Sequence, residues 1–292
     1  MIIDSHVDCI SCIIDRANKL ADKYLDGKEK KYEFMQKTLE IIKNTEYKKT
    51  SPFLTMKVMN QLETIDQVNK DYELKKEEFN RKIMTLSEEF EKFINESQDS
   101  FLAALQLSIA GNIIDLGAFD KIDFQMVQKV IKKAKKEKLD ISVYNKLKKD
   151  LESSKDLLYV GDNSGEIVFD KLFIKEIVKK YPKLNIIYSV RGSTILNDVT
   201  IKDAKQVGID KLVKVIDSGI GIPGTDLEEV KLEFKKIFNN SDVIISKGQG
   251  NFESLSGCSE NVYYLLLTKC EILQNHMNKK FLETIFTHES LL

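Results

Sequence analysis

From Asp156 onward the chain alternates short, predominantly apolar runs with longer amphipathic segments, and this alternation restricts the fold more than any other feature. Leu157 to Val160 leads into Ile167 to Val178, Asn185 to Val190 into Val199 to Val207, and Leu212 to Ile216 into Leu227 to Phe238. Val243 to Ile245 and Val262 to Leu267 complete the series. Such runs are too apolar on both faces for half-exposed hairpin strands, which alternate between core and water. Strands of this kind in β-α-β order predict a mostly parallel sheet with helices on both faces. The expected class is α/β, a Rossmann-like three-layer sandwich.

The first half reads differently. Only Gly27, Gly111 and Gly117 of the thirteen glycines precede residue 151, so frequent turns belong to the second half. Ile10, Ile13, Ile14, Ala17 and Ala21 form a stripe at helical spacing, and Phe79, Ile83, Leu86, Phe90 and Phe93 predict another helix with one buried face. Ser51-Pro52 reads as an N-cap followed by a first-turn proline. A length of 292 residues suits two cores. We therefore expect an all-α domain over 1–150 and an α/β/α domain, carrying metal and phosphate sites, over 151–292.

The overall composition excludes several classes. With 42% hydrophobic residues, 31% charged and three prolines, the chain has too much to bury for a disordered protein. Its net charge of −1 provides no global field to hold a nucleic acid. The N-terminus lacks the basic and apolar blocks of an export signal, and the run from Val262 to Leu267 is far short of a membrane span. Four cysteines are too few for a disulfide scaffold. The expectation is a cytoplasmic protein with neither nucleic-acid nor membrane partners.

In an open parallel sheet, ligands bind at the carboxyl ends of the strands. Four of those ends are chemically loaded. The first reads Gly161-Asp162-Asn163-Ser164-Gly165-Glu166 and the second Arg191-Gly192-Ser193-Thr194, with Asn197-Asp198 beyond. The third reads Asp217-Ser218-Gly219 and the fourth Ser246-Lys247-Gly248-Gln249-Gly250-Asn251. Asp162, Asn163 and Asp198 offer two carboxylates and an amide carbonyl, hard oxygens that suit Mg²⁺ or Mn²⁺ better than zinc. Ser164 and Gly165 stand where a helix begins, where free backbone N–H groups favour an anion. Lys247 and Arg191 would add positive charge around a phosphate. Asp, Asn, Ser and Gly after one strand are also ordinary turn residues. Four such ends at one edge point to a phosphoryl-transfer site.

These residues resemble a known family, the metal-dependent damage-control phosphatases, formerly domain of unknown function 89. The resemblance runs through Asp8 to Cys12, Ala110 to Gly117, Gly161 to Glu166, Arg191 to Asp198 and Ser246 to Glu253. Cys9 and Cys12 are similar to the paired cysteines of its prokaryotic and archaeal branch. It implies a helical domain joined to an α/β/α domain, a divalent metal (Mn, Mg, Co or Ni) on Asp162, Asn163 and Asp198, and phosphate contact by Lys247. It also implies a contribution from Asn112 and Asp115 in the helical half. On spacing alone that pair could equally be a buried polar helix contact.

The resulting expectation is a metal-dependent phosphatase of small phosphorylated metabolites such as sugar phosphates, nucleotides or related cofactors. Asp162, Lys247, Arg191 and Glu166 are its candidate catalytic residues, with Glu166 orienting a water or positioning Lys247. Asn112, Asp115, Ser164, Gly165, Ser218 and Asn251 are the candidate substrate contacts. The alternatives are a carboxyl methyltransferase using S-adenosylmethionine, which the first strand's loop suits poorly, and a non-catalytic binder of phosphorylated ligands. His6, Cys9 and Cys12 are spaced by three and could join Cys258 or Cys270 in a zinc site, though such cysteines also pack as small hydrophobes. His276 and His288 are expected at the surface, the lysine run Lys132 to Lys138 on a solvated helix face, and Gly219 to Gly224 in a substrate-facing loop.

Overall fold

The computed structural model describes residues 7–113 and 124–292. Eight helices come first: α1 (Val7–Tyr24), α2 (Lys28–Asn44), α3 (Ser51–Glu63), α4 (Val68–Met84), α5 (Ser87–Glu96), α6 (Ser100–Ala110), α7 (Phe124–Lys136) and α8 (Ile141–Ser153). A 3-10 turn, Gly111–Ile113, closes α6. The alternating half follows as β1 (Asp156–Val160), α9 (Glu166–Lys180), β2 (Asn185–Val190), α10 (Ile201–Val207), β3 (Lys214–Asp217), α11 (Leu232–Asn240), β4 (Val243–Lys247), α12 (Gln249–Leu255), β5 (Val262–Leu267), α13 (Glu271–Met277) and β6 (Thr284–His288).

The six strands form one sheet in the order β3-β2-β1-β4-β5-β6. All pairs are parallel except β5 with β6. The order reverses between β1 and β4, so their carboxyl ends flank the crevice where ligands of such sheets bind. Strand periodicity explains why both faces are apolar. Leu157 and Tyr159 of β1 point into a core with Phe79, Phe90, Phe101, Phe169 and Phe173. Leu158 and Val160 point the other way, onto Phe234, Phe238, Phe252 and Leu273.

One core crosses residue 150. Phe90 of α5 packs edge-on to Phe169 of α9 at 4.6 Å between ring centroids, and Phe101 of α6 meets Phe173 at 5.3 Å. Helix α6, SFLAALQLSIA, is apolar all round because neighbours enclose it, and Asp99 caps it through Leu102 N–H. Helices α1 to α3 and the start of α4 build a separate core, from Ile13, Ala17, Phe34, Leu54, Val58, Leu62 and Val68, which docks onto Ile195 and Leu196 after β2.

Several elements differ from their sequence reading. The stripe from Phe79 to Phe93 spans two helices, broken at Thr85 and Leu86, whose neighbours bind backbone carbonyls through Thr85 and Ser87 hydroxyls. Thr50, not Ser51, is the N-cap of α3, and α11 begins at Leu232 rather than Leu227. The edge strand β6 lies in the segment read as polar. His288 ends it, buried, with Nε2 2.6 Å from Asn261 Oδ1 and its ring against Tyr263. His276 is exposed.

Candidate active site

Asp162 and Asn163 follow β1, and the segment after β2 folds back so that Asn163 and Asp198 form an antiparallel bridge. Val199 N–H donates to Asp162 O at 2.9 Å, and Ser164 N–H to Asn197 O at 2.8 Å, zipping the two loops together. Residues 35 apart in sequence are thereby neighbours. Arg191 lies between the carboxylates. Its Nε donates to Asp198 Oδ2 at 2.7 Å, and its Nη2 stands 3.7 Å from Asp162 Oδ1. Asn163 Nδ2 donates to Asp162 Oδ2. Gly248, at φ +83°, lets this cluster close: a Cβ there would fall 1.9 Å from Asp162 Oδ2.

Burial drives the electrostatics. The Asp162 carboxyl is pushed up to about 7 by burial and then by Asp198, against the pull of Arg191. Burial likewise raises Asp198, with Arg191 opposing. Glu166 is pushed up to about 7 by burial, against Lys247. Four carboxylates, Asp162, Glu166, Asp170 and Asp198, face two cations, Arg191 and Lys247, all buried. An uncompensated buried charge is costly, and a divalent cation bound here would neutralise carboxylates that burial otherwise drives towards their protonated forms. The donor set agrees, being two carboxylates and a carboxamide that presents its oxygen after a half-turn of its side chain. Among the described residues no three His, Cys, Asp or Glu side chains gather as a metal cluster.

The anion side differs from expectation. The N–H groups of Ser164 and Gly165 are not free: the first bonds Asn197 O, and the second is capped in trans by Asn80 Oδ1 of α4 at 2.6 Å. Among the described residues the Ser164 hydroxyl is buried without a hydrogen-bond partner, as is Arg191 Nη2. Nor is Lys247 a mobile cation. The last residue of β4, it is fully buried, with Nζ 2.7 Å from Ser108 O and Oγ, 2.8 Å from Asp170 Oδ1 and 2.8 Å from Glu166 Oε1. Burial lowers its pKa, but Asp170 and Glu166 more than offset this and raise it overall.

The helical half enters through the turn after α6. Asn112 Nδ2 donates to Glu166 Oε2 at 2.6 Å and reaches Asp162 Oδ2 at 3.3 Å, while its Oδ1 is buried without a partner among the described residues. Asp115 lies outside the described residues, as does His6. Ser218 turns its hydroxyl to Ile220 O, 3.2 Å away in its own loop. Asn251 ties the strand ends together, donating to Lys247 O and Gly161 O and accepting from Thr225 Oγ1. Both side chains are spent on scaffolding. Ile222 of the glycine-rich loop packs on Phe53 and Met56 of α3. Among the described residues the cysteines form no disulfide: Cys12 is exposed, Cys258 packs beside the second sheet face, and Cys270 caps α13.

Sequence reasoning missed Ser108, Asp170 and Asn80. Asp170 follows Glu166 by one helical turn, a spacing that puts both carboxylates on one face of α9 and could have signalled the pair. Asn80 sits in a charged helix and offers no such signal. Beside Arg191 a cleft of about 350 Å³ opens between Glu73 and Lys76 of α4 and Gly192 to Thr194 after β2, with Asp217 at its end. A larger hollow, about 530 Å³, lies at the opposite end of the sheet against Lys148 and Pro182, away from these residues.

A family model, the damage-control phosphatase ARMT1-like domain, matches residues 5–283. The chain belongs to that family. A damage-control phosphatase of Archaeoglobus fulgidus is 30% identical over 270 residues, 90% of this chain and 91% of that one. Another of Pyrococcus horikoshii is 36% identical over 202 residues, 68% and 67% of the two chains. An uncharacterised protein of Methanocaldococcus jannaschii is 34% identical over 274 residues, covering 90% and 88%. The crystal structure of a DUF89 family protein from Pyrococcus horikoshii superposes with a TM-score of 0.84 at 25% identity, covering 98% of this chain and 99% of that one.

Proposed function

We propose that the chain is a metal-dependent phosphomonoesterase acting on small phosphorylated metabolites. The observation that carries this reading is the convergence of Asp162, Asn163 and Asp198 with Arg191 at the carboxyl ends of β1 and β2. The relatives named damage-control phosphatase support the reaction class. Asp162, Asn163 and Asp198 would hold the divalent ion, Mn²⁺, Mg²⁺, Co²⁺ or Ni²⁺. Bound there, it would neutralise phosphate oxygens and the carboxylate excess. Arg191, held by Asp198 through Nε, keeps Nη2 for a phosphoryl oxygen. Lys247 supplies fixed positive charge beneath the site, and Asn112 holds Glu166 across the crevice. The rest of the substrate fits the adjoining cleft, whose volume suits a small metabolite.

The test is phosphate release from p-nitrophenyl phosphate and a metabolite panel, run with each of the four metals and with chelator. Asp162→Ala and Asp198→Ala should each lower turnover by about 10³-fold or more while circular dichroism stays native. Full activity in either variant, or equal rates with chelator, removes the proposal. Ligand binding without turnover in the wild type would favour a sensor.

A further inference from the structure

Behind Lys247 lies a second buried carboxylate, Asp170, which reaches neither Asp162 nor Asp198 by any hydrogen bond among the described residues and yet accepts hydrogen bonds on both oxygens. Its Oδ1 accepts from Ser108 Oγ at 2.9 Å, Tyr159 OH at 2.8 Å and Lys247 Nζ at 2.8 Å, and its Oδ2 from Tyr188 OH at 3.2 Å. All five residues are at most 1% exposed. The donors come from α6, β1, β2 and β4, so the carboxylate on α9 is the point where four elements are tied together.

The ammonium has three hydrogens, and Ser108 O, Ser108 Oγ and Asp170 Oδ1 take them all with hydrogen-bond geometry. Glu166 Oε1, at 2.8 Å, is left as an ion-pair contact without a proton of its own. The Ser108 hydroxyl donates to Asp170 while accepting from Lys247, which leaves it no access to solvent or substrate. A Ser-Lys nucleophile pair is thereby excluded.

We infer that Asp170 is a positioning residue, which with Ser108 fixes the Lys247 ammonium beneath the crevice so that it acts as a preorganised charge rather than a mobile donor. The inference rests on the phosphatase reading given above. Preorganised charge is effective because no reorganisation is needed when charge develops in the transition state. Loss of the clamp should therefore lower kcat and leave substrate affinity nearly unchanged.

The experiment is a double-mutant cycle of Asp170→Asn with Lys247→Ala, read in steady-state kinetics on p-nitrophenyl phosphate and in Mn²⁺ affinity by calorimetry. We expect Asp170→Asn to lower kcat by about ten-fold or more, with KM and Mn²⁺ affinity within about three-fold of wild type. In the Lys247→Ala background the same change should alter kcat by less than about two-fold, because a residue acting through Lys247 has nothing left to position. An equal fall in both backgrounds, or an unchanged kcat in the single variant, overturns the assignment while leaving the phosphatase reading intact. A wild-type chain that releases no phosphate with any metal overturns both. Should Asp170→Asn fail to fold, Tyr188→Phe removes only the Oδ2 bond. It should lower kcat by about two- to five-fold with the same dependence on Lys247, and wild-type kcat in that variant counts against the clamp.

Discussion

Gly248 shows how one missing side chain shapes the crevice. It sits at positive φ directly after Lys247, and its bare Cα leaves the space that the Asp162 carboxylate fills. Gly248→Ala would force alanine into a backbone conformation (φ +83°, ψ 162°) open essentially to glycine alone, costing about 1–3 kcal/mol, and would push Asp162 from Arg191 and Asn163. Turnover should fall by about 100-fold, with a lowered Mn²⁺ affinity and a modestly lowered Tm. Wild-type metal affinity in this variant would show that Asp162 does not need that space. At this scale the sequence revealed the acidic and amide residues, because strand ends announce themselves. It did not reveal that Lys247 is immobilised or that Ser164 and Gly165 have lost their free N–H groups. Those outcomes depend on Ser108, Asn197 and Asn80, which are 139, 33 and 85 residues from Lys247, Ser164 and Gly165.

Elements are also joined by half-buried polar contacts. Asp150 of α8 accepts from Lys146 at 2.6 Å, Tyr263 OH at 2.7 Å and Asn261 at 3.1 Å, tying the helix to the start of β5. Burial pushes its carboxyl up, but these hydrogen bonds outweigh burial and hold it below its ordinary value. A carboxyl depressed in the folded state stabilises fully above its unfolded value and loses that contribution as pH falls through the folded one. Wild type should therefore melt above Asp150→Asn at pH 7, and the gap should shrink as pH falls below the ordinary aspartate value of about 3.9. A gap independent of pH would mean that Asp150 acts through packing alone. Most elements of the second half were legible within a few residues, since each buries one periodic face: α9 was read as Ile167 to Val178 and spans Glu166–Lys180. The break between α4 and α5 was not legible, because both helices lie on one core and the apolar rhythm runs unbroken across it.

For the molecule as a whole, the carboxylate excess at the crevice is an opposing term in folding that a bound cation would relieve. A ligand that binds only the folded chain raises its stability, by about 2.7 kcal/mol at roughly 100 times Kd. Mn²⁺ should accordingly raise the Tm of wild type by several degrees, and the increase should vanish in Asp162→Ala and Asp198→Ala. An equal rise in the variants would place the ion elsewhere. No helix among the described residues is long and apolar enough to cross a membrane.

The sequence by itself determined the five parallel strands and the residues gathered at one edge of the sheet, since these follow from local periodicity and from where each apolar run stops, but not the antiparallel β6. Tertiary structure alone decided which of those side chains meet. Asn112 reaches Glu166 across 54 residues and Lys247 reaches Ser108 across 139, through a core that runs past residue 150 without a seam. Pattern along a chain records which face is buried, whereas the partner of a buried charge is set by distance in space, and only packing fixes that distance.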